Sequence, residues 1–325
     1  MAAKRRFVGA LVVLGLITGL ASCRSALREP PGLQELCRGT PAVDVVQADE
    51  LCAEAAACFE RRTHEEVARA AELWTRAAAG VPDRVEPLIE AVRARIWLSE
   101  HTDDDAVRLQ EIVAAVQTAQ WCPRRAPDDP RCDYWLAATL GLQARERRST
   151  ALDALPMIVE LFQRAAASDP TIEQGGPDRA LALTYLRAPG WPTGPGDPDL
   201  GLEHALIAVE LSPDYPPNQL ALGEAYDAID DPEASREAYE KGLELAHAME
   251  RDGDPEARAW IEAAEKELRS WGLSPFPRRR GVLAATCDRI DGGGPQPAYA
   301  ECSEVRLTPG AIGGCLDCST LSSPA

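Results

Sequence analysis

The stretch Pro216 to Ala246 reads Pro-Pro-Asn-Gln-Leu-Ala-Leu-Gly-Glu-Ala-Tyr, Asp-Ala-Ile-Asp-Asp-Pro-Glu-Ala-Ser-Arg-Glu-Ala-Tyr and Glu-Lys-Gly-Leu-Glu-Leu-Ala. Leu222, Gly223 and Tyr226 fall within about one helical turn, and the small residue lets a second helix approach while Leu and Tyr fill the space beside it. Asp231-Pro232-Glu233 then restarts a helix. The Asp side chain can accept orphan N–H groups at the cap, the missing proline N–H costs nothing at the first helical position, and the acid suits the positive helix end. Tyr239 and Gly242 repeat the large-and-small pairing on the second helix. The segment therefore predicts two short helices packed closely against each other.

Related punctuation recurs outward from this segment. Leu181-Ala182 with Tyr185 repeats the first element, and Asp197-Pro198-Asp199 and Asp254-Pro255-Glu256 repeat the helix start. An alanine precedes a proline by five residues at Ala77 and Pro82, Ala165 and Pro170, and Ala208 and Pro213. In the first two, Trp74 or Phe162 sits one turn before the alanine, so both face one neighbour before the proline stops the helix. Residues 216–246 resemble a tetratricopeptide repeat (TPR), with Gln219 in place of the leading Trp and no closing proline near His247. The spacing is uneven. Pro82 to Pro170 exceeds two repeats of about 34 residues, and Pro170 to Pro213 is also long, the excess falling in the Pro/Gly loop Ala188 to Gly196. The expected fold is all-α: a TPR-like α-solenoid of helical hairpins with a small Cys-rich C-terminal appendage.

Composition agrees with a folded helical protein: 45% hydrophobic and 26% charged residues, with only 5% aromatic, so alanine and aliphatic side chains must build the core. The net charge of −18 argues against nucleic-acid or anionic-membrane surfaces, which would repel it. Residues 1–22 read as an export signal: Lys4, Arg5 and Arg6 precede the mostly apolar run Phe7 to Leu20, too short to span a bilayer. Leu20-Ala21-Ser22-Cys23 resembles the lipobox of bacterial lipoproteins, which implies acylation of Cys23, and Arg24 after it points to the periplasmic face of the outer membrane. Cleavage would remove three basic side chains and no acidic ones, deepening the charge to −21.

Export permits disulfides among the ten cysteines. Cys122 and Cys132, bracketing a Pro- and Arg-rich stretch that reads as a loop, are the best single pair. Cys52 and Cys58 would project to different faces of one helix, and the partners of Cys37, Cys52, Cys58, Cys287, Cys302, Cys315 and Cys318 stay open. The sequence divides into a signal peptide (1–22), a tether and Cys-containing segment (23–62), a TPR-like helical domain (63–272) and a Cys-rich tail (273–325). Cys315-Leu316-Asp317-Cys318 is a Cys-x-x-Cys, but in an oxidising compartment a disulfide-stapled tail is favoured over a zinc site.

One further resemblance rests on Gly175-Gly176-Pro177-Asp178-Arg179-Ala180, Tyr185-Leu186-Arg187-Ala188-Pro189-Gly190-Trp191-Pro192, Gly196-Asp197 and Ser212-Pro213-Asp214-Tyr215-Pro216-Pro217-Asn218. These resemble the T-component of TRAP transporters, helical lipoproteins proposed to assist tripartite ATP-independent periplasmic transporters. The resemblance implies a non-enzymatic envelope accessory that binds a small organic ligand or the transporter's solute-binding protein, without a cofactor. The alternative function is a TPR protein–protein interaction scaffold in envelope assembly, and a hydrolase is a third, weaker class. Homo-oligomerisation is left open.

No catalytic constellation stands out. The four histidines lack a metal-ligand partner at helical spacing, and Thr63-His64-Glu65-Glu66 has Ala68 where a zinc protease needs its second histidine. The ligand-binding candidates are Tyr185, Arg187 and Trp191: Trp191 to wall a cavity, Arg187 to receive a carboxylate. The opposing possibility is that Arg187 pairs with a local acid and Trp191 plugs the loop.

Overall fold

The computed structural model describes residues 27–37 and 43–272, together with two short strands in the tail. The signal segment, Cys23, Cys287, Cys302, Cys315 and Cys318 lie outside the described residues. The chain divides into two units, Met1–Leu273 and Ser274–Ala325. In the second, β1 (Ala285–Thr286) pairs antiparallel with β2 (Arg306–Leu307).

The first unit is all-α among its described residues. After the one-turn helix α1 (Leu33–Leu36) come α2 (Val45–Glu60), α3 (His64–Gly80), α4 (Glu86–Glu100) and α5 (Asp105–Ala119). The short α6 (Trp121–Arg125) leads to α7 (Pro130–Glu146), α8 (Arg148–Ser168), α9 (Gly176–Arg187) and α10 (Pro198–Leu211). The series closes with α11 (Pro216–Ala228), α12 (Pro232–Arg251) and α13 (Ala257–Gly272). Consecutive long helices pack as hairpins, and α4, α7, α9, α11 and α13 also touch one another in that order. They form an inner row, while α3, α5, α8, α10 and α12 form the outer one. This is a TPR-like solenoid.

The sequence signals translate into contacts. Helices α3, α8 and α10 each end two residues before Pro82, Pro170 and Pro213. Ala77, Ala165 and Ala208 are fully buried, and Trp74 and Phe162 are buried beside their alanines. In the α11–α12 hairpin, a Cβ at Gly223 would come within 2.9 Å of the Tyr239 ring, so glycine is what lets the two helices meet there. Ser235 ties the same crossing by donating from Oγ to the Gly223 carbonyl at 2.8 Å. Asp197 and Asp231 cap α10 and α12 as expected. Asp254 instead accepts from the Glu256 N–H at 2.8 Å, and α13 begins only at Ala257.

Two expectations change. Much of 23–62 is not a tether: Val45–Glu60 is a full helix that packs on α3, and Phe59 meets the Trp74 ring edge-on at 5.5 Å. Apart from Phe59, its buried residues are Ala48, Ala55 and Cys58 with no leucine among them, which hides the helical period from a hydropathy reading. The stretch from Cys122 to Cys132 is not a plain loop either. Pro123 and Pro130 both lie in first helical turns, where a missing N–H is tolerated, so Cys122 sits in α6 and Cys132 at the start of α7. The Cys122–Cys132 disulfide forms, with Cα atoms 5.1 Å apart. Arg125 docks this corner by donating to the Ala78 carbonyl at 2.8 Å and to those of Val81 and Arg84 at 3.3 Å. Cys58 is 1% exposed on α2, and burial raises its thiol pKa, as it does those of Cys37 and Cys52.

Two outcomes follow. Removing the bridge with C122S/C132S should lower unfolding free energy by about 2–3 kcal/mol, the cost of freeing a loop of this length, measured by urea denaturation without reductant. Maleimide should label Cys58 only after unfolding; rapid labelling in the native chain would contradict its burial.

Candidate functional site

The residues of the 175–218 motif converge on a turn between α8 and α9. Glu173, Gln174 and Gly175 take φ values of 47°, 58° and 82°, a left-handed run that glycine enters without strain. Asp169 starts it by accepting from the Thr171 N–H and hydroxyl. Asn218, on α11 and fully buried, closes it. Its Nδ2 donates to the carbonyls of Gln174 (3.0 Å), Ala208 (2.8 Å) and Ser212 (3.0 Å), while its Oδ1 accepts from Arg179 at 2.7 Å. Arg179 also donates to the Glu173 carbonyl at 3.2 Å and lies over the Tyr215 ring at 5.1 Å. Beneath it, a Cβ at Gly176 would sit 2.9 Å from the Tyr134 hydroxyl. Glycines, arginine and asparagine of the motif therefore hold α7, α9, α10 and α11 together.

Tyr134 is buried at the centre of this node, and burial pushes its phenol up from 10.0 to about 12, with Arg179 opposing and Glu173 and Tyr215 adding. A second polar line runs behind it. His204 Nδ1 lies 2.8 Å from Asp178 Oδ1, its ring stacks on Tyr185 at 5.6 Å, and Gln163 donates to the Tyr185 hydroxyl at 3.3 Å. Tyr185 is thus a packing residue, 7% exposed.

Arg187 makes a two-pronged ion pair with Glu224 of α11, Nε to Oε1 at 3.0 Å and Nη2 to Oε2 at 2.7 Å. Burial lowers its pKa less than the Glu224 contact raises it, so the net shift is upward. A carboxylate already faces this arginine, and it comes from the chain itself. Trp191 does the opposite of lining an interior: it is 90% exposed. Its loop is built, not slack. The Gly196 N–H donates to the Pro189 carbonyl at 2.8 Å, the Asp197 N–H to that of Tyr185 at 3.0 Å, and the N–H groups of Thr193 and Gly194 turn back onto Gly190. The structure brings Tyr185 and Arg187 onto one helix and sends Trp191 away from both.

The inner row carries further charged and aromatic groups that no sequence motif marks. Arg93 of α4 stands 6.0 Å from the Trp135 ring of α7 and pairs with Glu90 at 3.2 Å. Burial disfavours its charge, but Glu90, Glu173 and Tyr215 outweigh that and raise its pKa. Arg62 pairs with Glu256 at 2.8 Å, joining the α2–α3 turn to the α12–α13 turn. The Arg93–Glu90 pair is local, three residues apart on α4, but the approach of Arg93 to Trp135 and of Arg62 to Glu256 has no local signal, because those members meet only through the coiling of the array. Among the described residues, no cluster of three or more His, Cys, Asp or Glu could hold a metal, and no helix is long and apolar enough to cross a membrane.

No family model matches the chain, and no curated protein does. Among solved structures it is similar to one described as the crystal structure of MamA protein, at 15% identity and a TM-score of 0.39, covering 63% of this chain and 94% of that chain.

Asn218→Ala should destabilise the chain by about 2–3 kcal/mol, because buried carbonyls and Arg179 lose their partner; an unchanged urea midpoint would contradict the node. Tyr134 sets an alkaline limit. A phenol held above its free value contributes stability that is whole below pH 10.0 and lost as pH rises through about 12. Tyr134→Phe should flatten the fall in stability over that window, read by circular dichroism in urea at each pH.

Proposed function

We propose that this chain is a non-enzymatic scaffold that binds a protein partner through the Trp191 loop. The observation that carries the reading is the exposed indole on a hydrogen-bonded loop. Large aromatic side chains anchor protein interfaces well, and a loop already held in shape has little entropy to lose on binding. Ala188 to Gly196 contains no charged residue. Leu155 of α8 lies 3.5 Å from where a Cβ at Gly194 would sit, Leu152 is one turn away on the same helix, and Leu200 follows in the first turn of α10. Leu152 and Leu200 are also exposed. The chain as a whole carries a net charge of −18, which favours a partner that offers an apolar pocket on a basic surface.

A finer reading names that partner as the solute-binding protein of a TRAP-type transporter. Its support is the resemblance of residues 175–192 and 212–218, the same segment that builds the Trp191 loop and its base. A protein partner accords better with this geometry than a small carboxylate ligand, since such a ligand would have to displace Glu224 from Arg187. The envelope setting, with Cys23 acylated and the body at the periplasmic face of the outer membrane, rests on the lipobox-like Leu20-Ala21-Ser22-Cys23. Fatty-acid labelling that persists in Cys23→Ser would remove it.

Cross-linking in intact envelopes followed by affinity measurement tests the site. Trp191→Ala should weaken the complex at least about tenfold, as expected for a central aromatic anchor. A partner other than a solute-binding protein would sink the transporter reading and keep the scaffold; equal binding by Trp191→Ala would sink the scaffold as drawn.

A further inference from the structure

We infer that Arg62 and Glu256 form a latch between the first and last helical hairpins of the array, and that its opening governs access to the inner row. Their 2.8 Å pair joins the two ends of the unit, with side chains 23% and 33% exposed. Among the described residues, the helices of the α2–α3 hairpin do not pack along those of α12–α13. The side-chain link therefore closes the array without a helix interface behind it.

Arg62 has the features of a residue held for one contact. It is a non-glycine residue at φ 49°, in the left-handed region that L side chains disfavour. Its guanidinium lies 4.0 Å from the Phe59 ring centroid, which fixes the direction of the arm. Its Nε is buried without a hydrogen-bond acceptor. The neighbouring Arg61 turns the other way and pairs locally with Glu66 at 2.6 Å. Two consecutive arginines are thus divided between a local pair and a long-range one. Glu256 precedes α13, where its charge would suit the helix end in any case, but its carboxylate reaches across to Arg62.

Opening would uncover the inner-row surface that carries Arg93, Trp135 and Tyr215. The latch does not depend on the Trp191 loop or on any particular partner.

Hydrogen exchange and small-angle scattering on the purified full-length chain test it. Arg62→Glu and Glu256→Arg should each speed exchange in residues 254–261 and in the α2–α3 turn roughly threefold, the loss expected of a partly exposed ion pair. Each should also raise the radius of gyration, and R62E/E256R together should restore both readouts. If either reversal fails to fold by circular dichroism, Arg62→Gln with 1 M salt on the wild type carries the comparison. Single variants indistinguishable from wild type, or a double variant no better than the singles, overturn the latch.

Discussion

Asn218 is the residue on which the second half of the array depends. A fully buried amide must find partners for all its polar atoms, and here they are the carbonyl of Gln174 before α9, the carbonyls of Ala208 and Ser212 at the end of α10, and the Arg179 side chain. Through it the left-handed turn before α9, the end of α10 and the start of α11 are set at fixed separations. Arg179 extends the same constraint to Tyr215, and Gly176 brings the turn against Tyr134 of α7. Apolar packing alone would let these helices slide; directional hydrogen bonds set their register.

From that base the chain presents two different surfaces. On one, a hydrogen-bonded loop without charge holds Trp191 in solvent. On the other, the inner row carries charged and aromatic groups that compensate one another, Arg93 with Glu90 and Arg187 with Glu224. The contrast explains why the arginine singled out as a ligand partner is already paired, while the tryptophan is not buried against anything. Arg93 takes its partner from one turn away on its own helix, whereas Arg187 meets the neighbouring α11 and acquires Glu224 there. A loop between helices projects outward and need not acquire a partner.

Much of the architecture could be read from residue spacing. Proline two residues past a helix end and aspartate at a cap are local devices that act through neighbours a few residues away, and the glycine of α11 faces a tyrosine of the very next helix. The helix α2 has no such spacing, because small alanines and Cys58 carry most of its buried face and Phe59 is its one large buried side chain. The Cys122–Cys132 pair was legible from its short separation, although the backbone between the cysteines is partly helical rather than loop. Asp254 shows the limit of even a local rule: an Asp-Pro-acid triplet puts its aspartate at the caps of α10 and α12, but at Asp254 the whole triplet lies before α13, which begins at Ala257.

By itself, the sequence determined that this unit is built of helical hairpins, where several of them begin or end, and that small residues let them touch. These follow from backbone chemistry and steric size within one or two turns. Only the tertiary structure decided that Arg187 faces Glu224, that Trp191 is in water and that Arg62 meets Glu256 across the array. The reason is geometric. Small rotations between successive hairpins accumulate over the whole unit, and the places where distant side chains meet depend on their sum, which no single segment encodes.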